Sequence, residues 1–270
     1  MRSILCCLCL LPSIGHSLEK KPWFGNIWEV RFNTDLEYNR YRYVDNAKEQ
    51  LKSASNDKGI LVGFGMSPYM NWDFDAEVEF VDTPRQSFSY STVAAQLRYL
   101  FLDDVIGDPV SLCAGVTLRE VSGRSLRDVS SPYHYYFDSE LTGAIGKEWD
   151  SGAFWDFRTY AFGAVGMANR GSPWLRGYGA VEANLQNRHQ FAVLGDSYFG
   201  FGGKREVDIE HFRGYSSIHH QSVDVGVSYK YLMHIWGSFL FEYKRRVYAK
   251  SFPENVNFFL IKYELPFSVL

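Results

Sequence analysis

Asp73, Asp75, Glu77 and Glu79 occupy every second position of one short stretch, Trp72 to Val81, with Trp72, Phe74, Ala76, Val78 and Phe80 at the positions between. Taken alone, four carboxylates in a row resemble an active site. Their period of two fits a pleated strand, whose side chains point alternately to opposite faces, whereas a helix would scatter them around its axis. Further charges recur in the same alternating setting: Arg98, Arg119, Glu140, Asp156, Arg158, Arg176, Glu182 and Lys230. Acids and bases on many strands then read as one inward surface. Either they neutralise each other in a filled interior, or they form opposed walls of a narrow aqueous pore that filters polar solutes. In the second case, neutralising Asp73, Asp75 and Glu77 reduces a preference for cations.

Other reactive residues carry less. His219, His220 and Ser222 lie close in sequence, and His134 and His211 lie in polar stretches. Hydrolysis by a Ser–His pair needs a third, orienting group brought close in space, which sequence proximity does not supply. His211, His219 and His220 lack metal-ligand spacing. Gly200-Phe201-Gly202-Gly203-Lys204 lacks the strand-to-helix setting of a phosphate loop and reads as a hairpin connection. No cofactor is expected.

The elements that must position the charged row are strands. The expected set is Ile27–Val44, Gly59–Met66, Trp72–Val81, Phe88–Phe101, Val110–Val121, Phe137–Trp149, Ala153–Met167, Trp174–Leu185, His189–Phe201, a tenth ending near Tyr231, Ile235–Tyr248 and Val256–Phe267. That makes about twelve, within ten to fourteen. Many offer roughly 10 alternating residues, the length a tilted strand needs to cross a bilayer, where strands of soluble proteins cluster near about 5–6. Connections alternate long (near 45–58, 82–87, 122–136, 168–173, 202–214 and 249–255) and short (near 67–70, 102–109, 150–152, 186–188 and 232–234). With that alternation, Trp28, Trp72, Trp149, Trp155 and Trp236 all fall at the short-turn ends of their strands, the level where an amphipathic ring meets a membrane–water boundary.

The whole chain is compatible with this. It has 270 residues, 46% hydrophobic and 17% aromatic, with a formal charge of −3. Charge near balance gives no field for nucleic acid. Arg2, the apolar run Ile4 to Leu11 and Gly15-His16-Ser17 read as an export signal cut after Ser17. Residues 18–270 then form a single domain, introduced by a short lead-in over residues 18–26. Cleavage leaves Cys113 alone of four cysteines, so no internal disulfide is expected. No later run of 18 apolar residues offers a transmembrane helix. Lys48, Lys52, Lys58, Arg124, Arg127, Lys204, Arg205 and Arg213 fall in long connections, solvated or able to meet outer-leaflet phosphates.

Over residues 27 to 267 the chain resembles, in pattern, the outer-membrane β-barrel proteins of double-membraned bacteria. The resemblance implies an all-β, antiparallel transmembrane barrel in contact with outer-membrane lipid, acting as a non-enzymatic channel for small polar solutes or as a structural surface protein. A lipid-modifying barrel hydrolase and a soluble exported β-barrel or sandwich with a binding role stand as alternatives. One departure is notable. Members of the class commonly end on an aromatic residue, whereas here the series Phe259, Ile261, Tyr263, Leu265, Phe267 is followed by Ser268-Val269-Leu270, with Pro266 inside it. The insertion signal is then internal at Phe267, or the last strand ends sooner.

Overall fold

The computed structural model describes residues 18–150 and 154–268. The expected export signal, with Cys6, Cys7 and Cys9, lies outside them. Fourteen strands follow in chain order: β1 (Glu29–Tyr41), β2 (Tyr43–Val44), β3 (Ser55–Tyr69), β4 (Trp72–Thr83), β5 (Gln86–Leu102), β6 (Ser111–Val121), β7 (Phe137–Asp150), β8 (Trp155–Ala168), β9 (Trp174–Leu185), β10 (His189–Gly200), β11 (Gln221–Leu232), β12 (Ser238–Lys250), β13 (Pro253–Glu254) and β14 (Asn257–Ser268). Twelve of them form one closed antiparallel barrel, and β2 pairs with β13 as a two-stranded patch on its rim. Closure is made by β1 against β14, in register from Glu29↔Ser268 to Arg40↔Asn257. A closed ladder leaves no edge strand, so every spanning backbone group can be paired within the wall.

The fold is all-β with twelve barrel strands, as the periodicity predicts. Barrel strands run from 11 residues in β6 to 17 in β5. Differences from the expected ranges sit at the ends. β3 begins at Ser55 rather than Gly59, because Asp57 and Lys58 continue the ladder opposite β1. Residues 234–236 form a 3₁₀ turn ahead of β12. The chain there needs Gly237 at φ 82°, where an added Cβ would meet the Glu264 carbonyl at 2.0 Å. β14 continues through Pro266, which faces Arg31 of β1. The β12 ladder stops at Ser238↔Glu264, so Pro266 lies past its end, where a missing N–H disrupts least.

One face of each strand points into the barrel and the other outward. Leu141, Val165, Val181, Val193 and Val227, all facing outward, are 54–67% exposed. No second sheet among the described residues packs on that apolar surface. This is the reverse of a soluble β-protein, in which the apolar face is buried. The interior is polar: Asp35, Glu37, Asp73, Glu77, Glu79, Gln96, Arg98 and Arg119 are all buried.

Two further layers close the ends. At one end, the connections 42–54, 122–136, 201–220 and 251–256 meet in an apolar cluster built from Val44, Val129, Val207, Phe212, Tyr215, Ile218, Phe252 and Val256, with Tyr41 below. At the other, residues 18–26 lie within the barrel, as the contacts of Lys20, Lys21, Trp23 and Phe24 with the wall show.

Candidate functional site: the ion-paired interior

The carboxylate row of β4 does not act as a unit: Asp73 and Asp75 share one pair of guanidinium groups, whereas Glu77 and Glu79 each have a separate partner. Asp73 is the most enclosed, at 0% exposure. It is held by Arg98, by Arg31 at 2.7 Å and by the Ser67 hydroxyl at 2.7 Å. Asp75 shares the same two guanidinium groups, at 3.3 Å from Arg31 and 3.6 Å from Arg98. Glu77 pairs with Arg119 at 3.1 Å, and Glu79 accepts the Tyr133 hydroxyl at 2.7 Å. The strand order makes these pairs: β4 sits beside β5, in register at Asp73↔Arg98, and β6 lies next along with Arg119.

Residues on the far wall form separate groups. Arg176 meets Glu140 at 2.9 Å, and the Trp174 indole N–H donates to the same carboxylate at 2.8 Å. Glu182 accepts from Gln190 at 2.7 Å and from Tyr160 at 3.2 Å. Arg158 pairs with Glu148 at 2.6 Å near the barrel's lower end, and Asp156 accepts from Asn184 at 3.5 Å. Lys230 meets Glu264 at 3.2 Å. All ten lumen-lining candidates and Glu140 and Lys230 therefore fall on inward positions, but in several clusters rather than two opposed walls. Strand pairing had to be known before partners could be assigned.

Several interior groups were not singled out in the sequence. Arg31, Asp35, Glu37 and Asn39 share the inward face of β1, Asp224 takes Arg246 at 2.7 and 2.9 Å, and Lys244 pairs with Glu242 at 3.0 Å. The polar alternation of β1 was available as a signal. The lead-in was not. Its Lys20 reaches Asp196 at 3.0 Å and stands 4.4 Å over the Tyr178 ring, while Lys21 reaches Glu182 at 2.7 Å. Trp23 donates its N–H to Asp104 at 2.8 Å and packs edge-on against Tyr160. Phe24 lies under Arg98 and against the inward apolar group Leu100, Cys113, Ala144, Phe162 and Ala164. Arg98 also donates to the Lys21 carbonyl at 2.6 Å.

Among the described residues, two chambers between this segment and the cap stand out. The larger, about 140 Å³, is lined by Lys20, Lys21, Glu37, Lys230, Lys262 and Glu264 among others; the smaller, about 80 Å³, lies by Asn39, Asp57, Tyr198 and Arg246. Both touch Lys244 and Phe258.

The histidines considered for catalysis form part of the cap. The His220 and His134 rings meet Nε2 to Nε2 at 3.2 Å, and His134 stacks on Trp174 with centroids 3.8 Å apart. Tyr198 bonds His134 Nδ1 at 3.0 Å. Burial holds His134 down to about 3; burial, then the neighbouring His134 and Arg246, hold His220 well below the usual imidazole range. His211 is exposed and pairs with Asp208. Among the loop cations, Lys48 reaches Asp208 at 3.1 Å across two connections, and Lys58 lies within β3.

The five tryptophans expected at a membrane boundary, Trp28, Trp72, Trp149, Trp155 and Trp236, all stand at the end of the barrel opposite the cap and are 40–69% exposed. Trp174, by contrast, is 1% exposed.

The chain matches no protein-family model and no curated protein sequence. Among solved structures it is similar to the COG4313 outer membrane channel of Pseudomonas putida F1, with a TM-score of 0.64 at 10% identity, over 91% of this chain and 98% of that one. It is also similar to the translocator domain of the autotransporter NalP of Neisseria meningitidis, with a TM-score of 0.50 at 13% identity, over 90% of each chain. Identities this low show a shared fold, the closed twelve-strand antiparallel barrel.

Proposed function

We propose that this protein is an integral outer-membrane β-barrel, exported by a signal over residues 1–17, that passes small polar solutes through a lumen narrowed by its own N-terminal segment. The observation that carries the reading is the pairing of an apolar, uncovered outer face with a charged interior holding two chambers. Such an outer face finds its solvent in lipid. The exposed tryptophans at one end fit an aromatic girdle at the membrane surface. The P. putida neighbour is an outer membrane channel, which agrees with this reading.

The segment 18–26 narrows the route at the end opposite the cap. It is held by two ion pairs, by hydrogen bonds to Asp104 and Arg98, and by ring contacts of Lys20, Lys21, Trp23 and Phe24, all non-covalent and so open to reversible displacement. The charges of β4 then serve chiefly to hold the wall, because Asp73, Asp75 and Glu77 are engaged by Arg31, Arg98 and Arg119. Selectivity falls instead to groups that line the chambers.

The test is conductance in planar bilayers. The native protein is expected to give small, brief steps. A variant with Lys20→Ala, Lys21→Ala and Trp23→Ala loses the contacts to Asp196, Glu182 and Asp104 and is expected to conduct several-fold more. Folded protein that stays silent in both forms would sink the channel reading.

A further inference from the structure

Glu37 lies mid-strand on the inward face of β1 and is 2% exposed. Among the described residues, no donor reaches either oxygen of its carboxylate. It lines the larger chamber together with five lysines and five other carboxylates. Those carboxylates are occupied. Asp35 lies 4.0 Å from Lys262, Glu182 pairs with Lys21, Glu242 with Lys244 and Glu264 with Lys230, while Glu19 accepts the Lys21 backbone N–H at 3.1 Å. The fifth lysine, Lys20, is taken by Asp196. One inward position further along β1, the Asn39 carbonyl oxygen is also buried with no donor among the described residues. It borders the adjoining chamber.

A buried carboxylate without a partner is costly, and a ligand that brings N–H donors and positive charge removes that cost. The chamber shows which cation it suits. The ammonium of Lys20 sits on a carboxylate and over a tyrosine ring, and that of Lys21 does the same with Glu182 and, at 5.6 Å, Tyr160. A carboxylate beside an aromatic face is a good environment for an ammonium group. Glu37 shares its chamber with the Phe258 ring. An ammonium presents three donors, enough for the two Glu37 oxygens and one more acceptor. The Lys230–Glu264 pair on the chamber wall is only half-buried, with side chains 20% and 23% exposed.

We infer that Glu37 is a binding site for the ammonium group of a small primary amine, with the Asn39 carbonyl accepting a further donor from the same solute. This names the solute class for the transport reading above and rests on it for its physiological sense. Binding itself can be measured in a conducting or a silent barrel, so the two readings fail separately.

The experiment is saturation-transfer NMR on the full folded protein in detergent, with ethylammonium and tetramethylammonium as probes. Ethylammonium is expected to bind at least tenfold more tightly than tetramethylammonium, which has no N–H. Glu37→Gln, close to isosteric, is expected to weaken ethylammonium by tenfold or more, with folding checked by the heat-dependent gel shift of the barrel. Equal binding of the two probes to the native protein overturns the site. So does a folded Glu37→Gln protein that holds ethylammonium as tightly as the native one. If Glu37→Gln does not fold, the two-probe comparison on the native protein decides alone.

Discussion

Arg98 shows how a single residue can serve both wall and plug. Its guanidinium is 2% exposed, engages Asp73 and Asp75 on the neighbouring strand, and donates to the carbonyl of Lys21 in the inserted segment. A buried ion pair adds little over apolar packing, yet breaking one side of it is expensive, because the remaining charge keeps its desolvation cost. Arg98→Met is therefore expected to lower stability by about 3–5 kcal/mol, read as a fall in the urea midpoint of the vesicle-embedded barrel. Asp73 would retain Arg31 and the Ser67 hydroxyl. Arg119→Met, which leaves Glu77 without its partner, is expected to behave alike. These are costs to the wall, and an unchanged midpoint in both variants would mean that the pairs are not desolvated.

Among the elements, the connections do more than join strands. The cap is a small apolar core in its own right, fastened to the barrel by polar latches. Arg85 binds Asp128 at 2.7 Å, the Tyr41 hydroxyl at 2.8 Å and the Ser55 hydroxyl at 3.0 Å, and so ties the 122–136 connection to β1 and β3. Trp174 at the head of β9 supports the cap from below, and it fits only because residue 166 on β8 has no side chain. A Cβ there would lie 1.9 Å from the indole. Gly166→Ala is expected to push Trp174 off His134 and Glu140 at a cost of about 1–3 kcal/mol, the range for overpacking. Altered near-UV circular dichroism with an intact far-UV strand signal would report it; an unchanged near-UV spectrum would show that the indole has room to move.

For the whole molecule, the cap makes closure depend on pH. His134 and His220 are buried and uncharged, faced by Trp174, Tyr198, Tyr215, Arg246, His219 and the carboxylates of Asp138 and Glu140 around them. Their folded pKa values lie below the unfolded value of about 6.5, so opening the cap takes up protons at acid pH. The stability they allow is complete above about pH 6.5 and falls as pH drops through the window toward the folded value, about 3 for His134. Each imidazole contributes at most about 1.4 kcal/mol per pH unit within that window. Corrected for the intrinsic slowing of amide exchange with acid, the protection of residues 122–136 and 201–220 is expected to fall on moving from pH 7 to pH 5, with that of the barrel strands unchanged. His134→Gln together with His220→Gln should flatten that response. Protection factors in the cap that ignore pH would refute its titration.

The barrel itself was legible because a strand that separates two solvents must alternate, and alternation is written residue by residue. Trp72 to Phe80 and the β5, β6 and β9 patterns give strand identity, facing and approximate length without any partner being known. Long and short connections likewise place the five exposed tryptophans at one end, although the alternation breaks at 84–85, a tight turn in place of the expected long connection, and at 103–110, a longer one in place of the expected short turn. What alternation cannot supply is which inward charge meets which, since Asp73 and Arg98 come together through ladder register and Glu140 and Arg176 through two strand crossings. Nor could it reveal the inserted segment. Residues 18–26 carry no period, and their place is decided by long-range contacts to Asp104, Asp196 and Glu182. The cap is a similar case: Phe212, Tyr215 and Ile218 look like scattered apolar residues of a charged loop until Val44, Val129 and Phe252 arrive from three other connections. Local sequence fixes the solvent each side chain of a strand must face, whereas closing both ends of the barrel depends on contacts among residues far apart in the chain, which only the folded structure brings together.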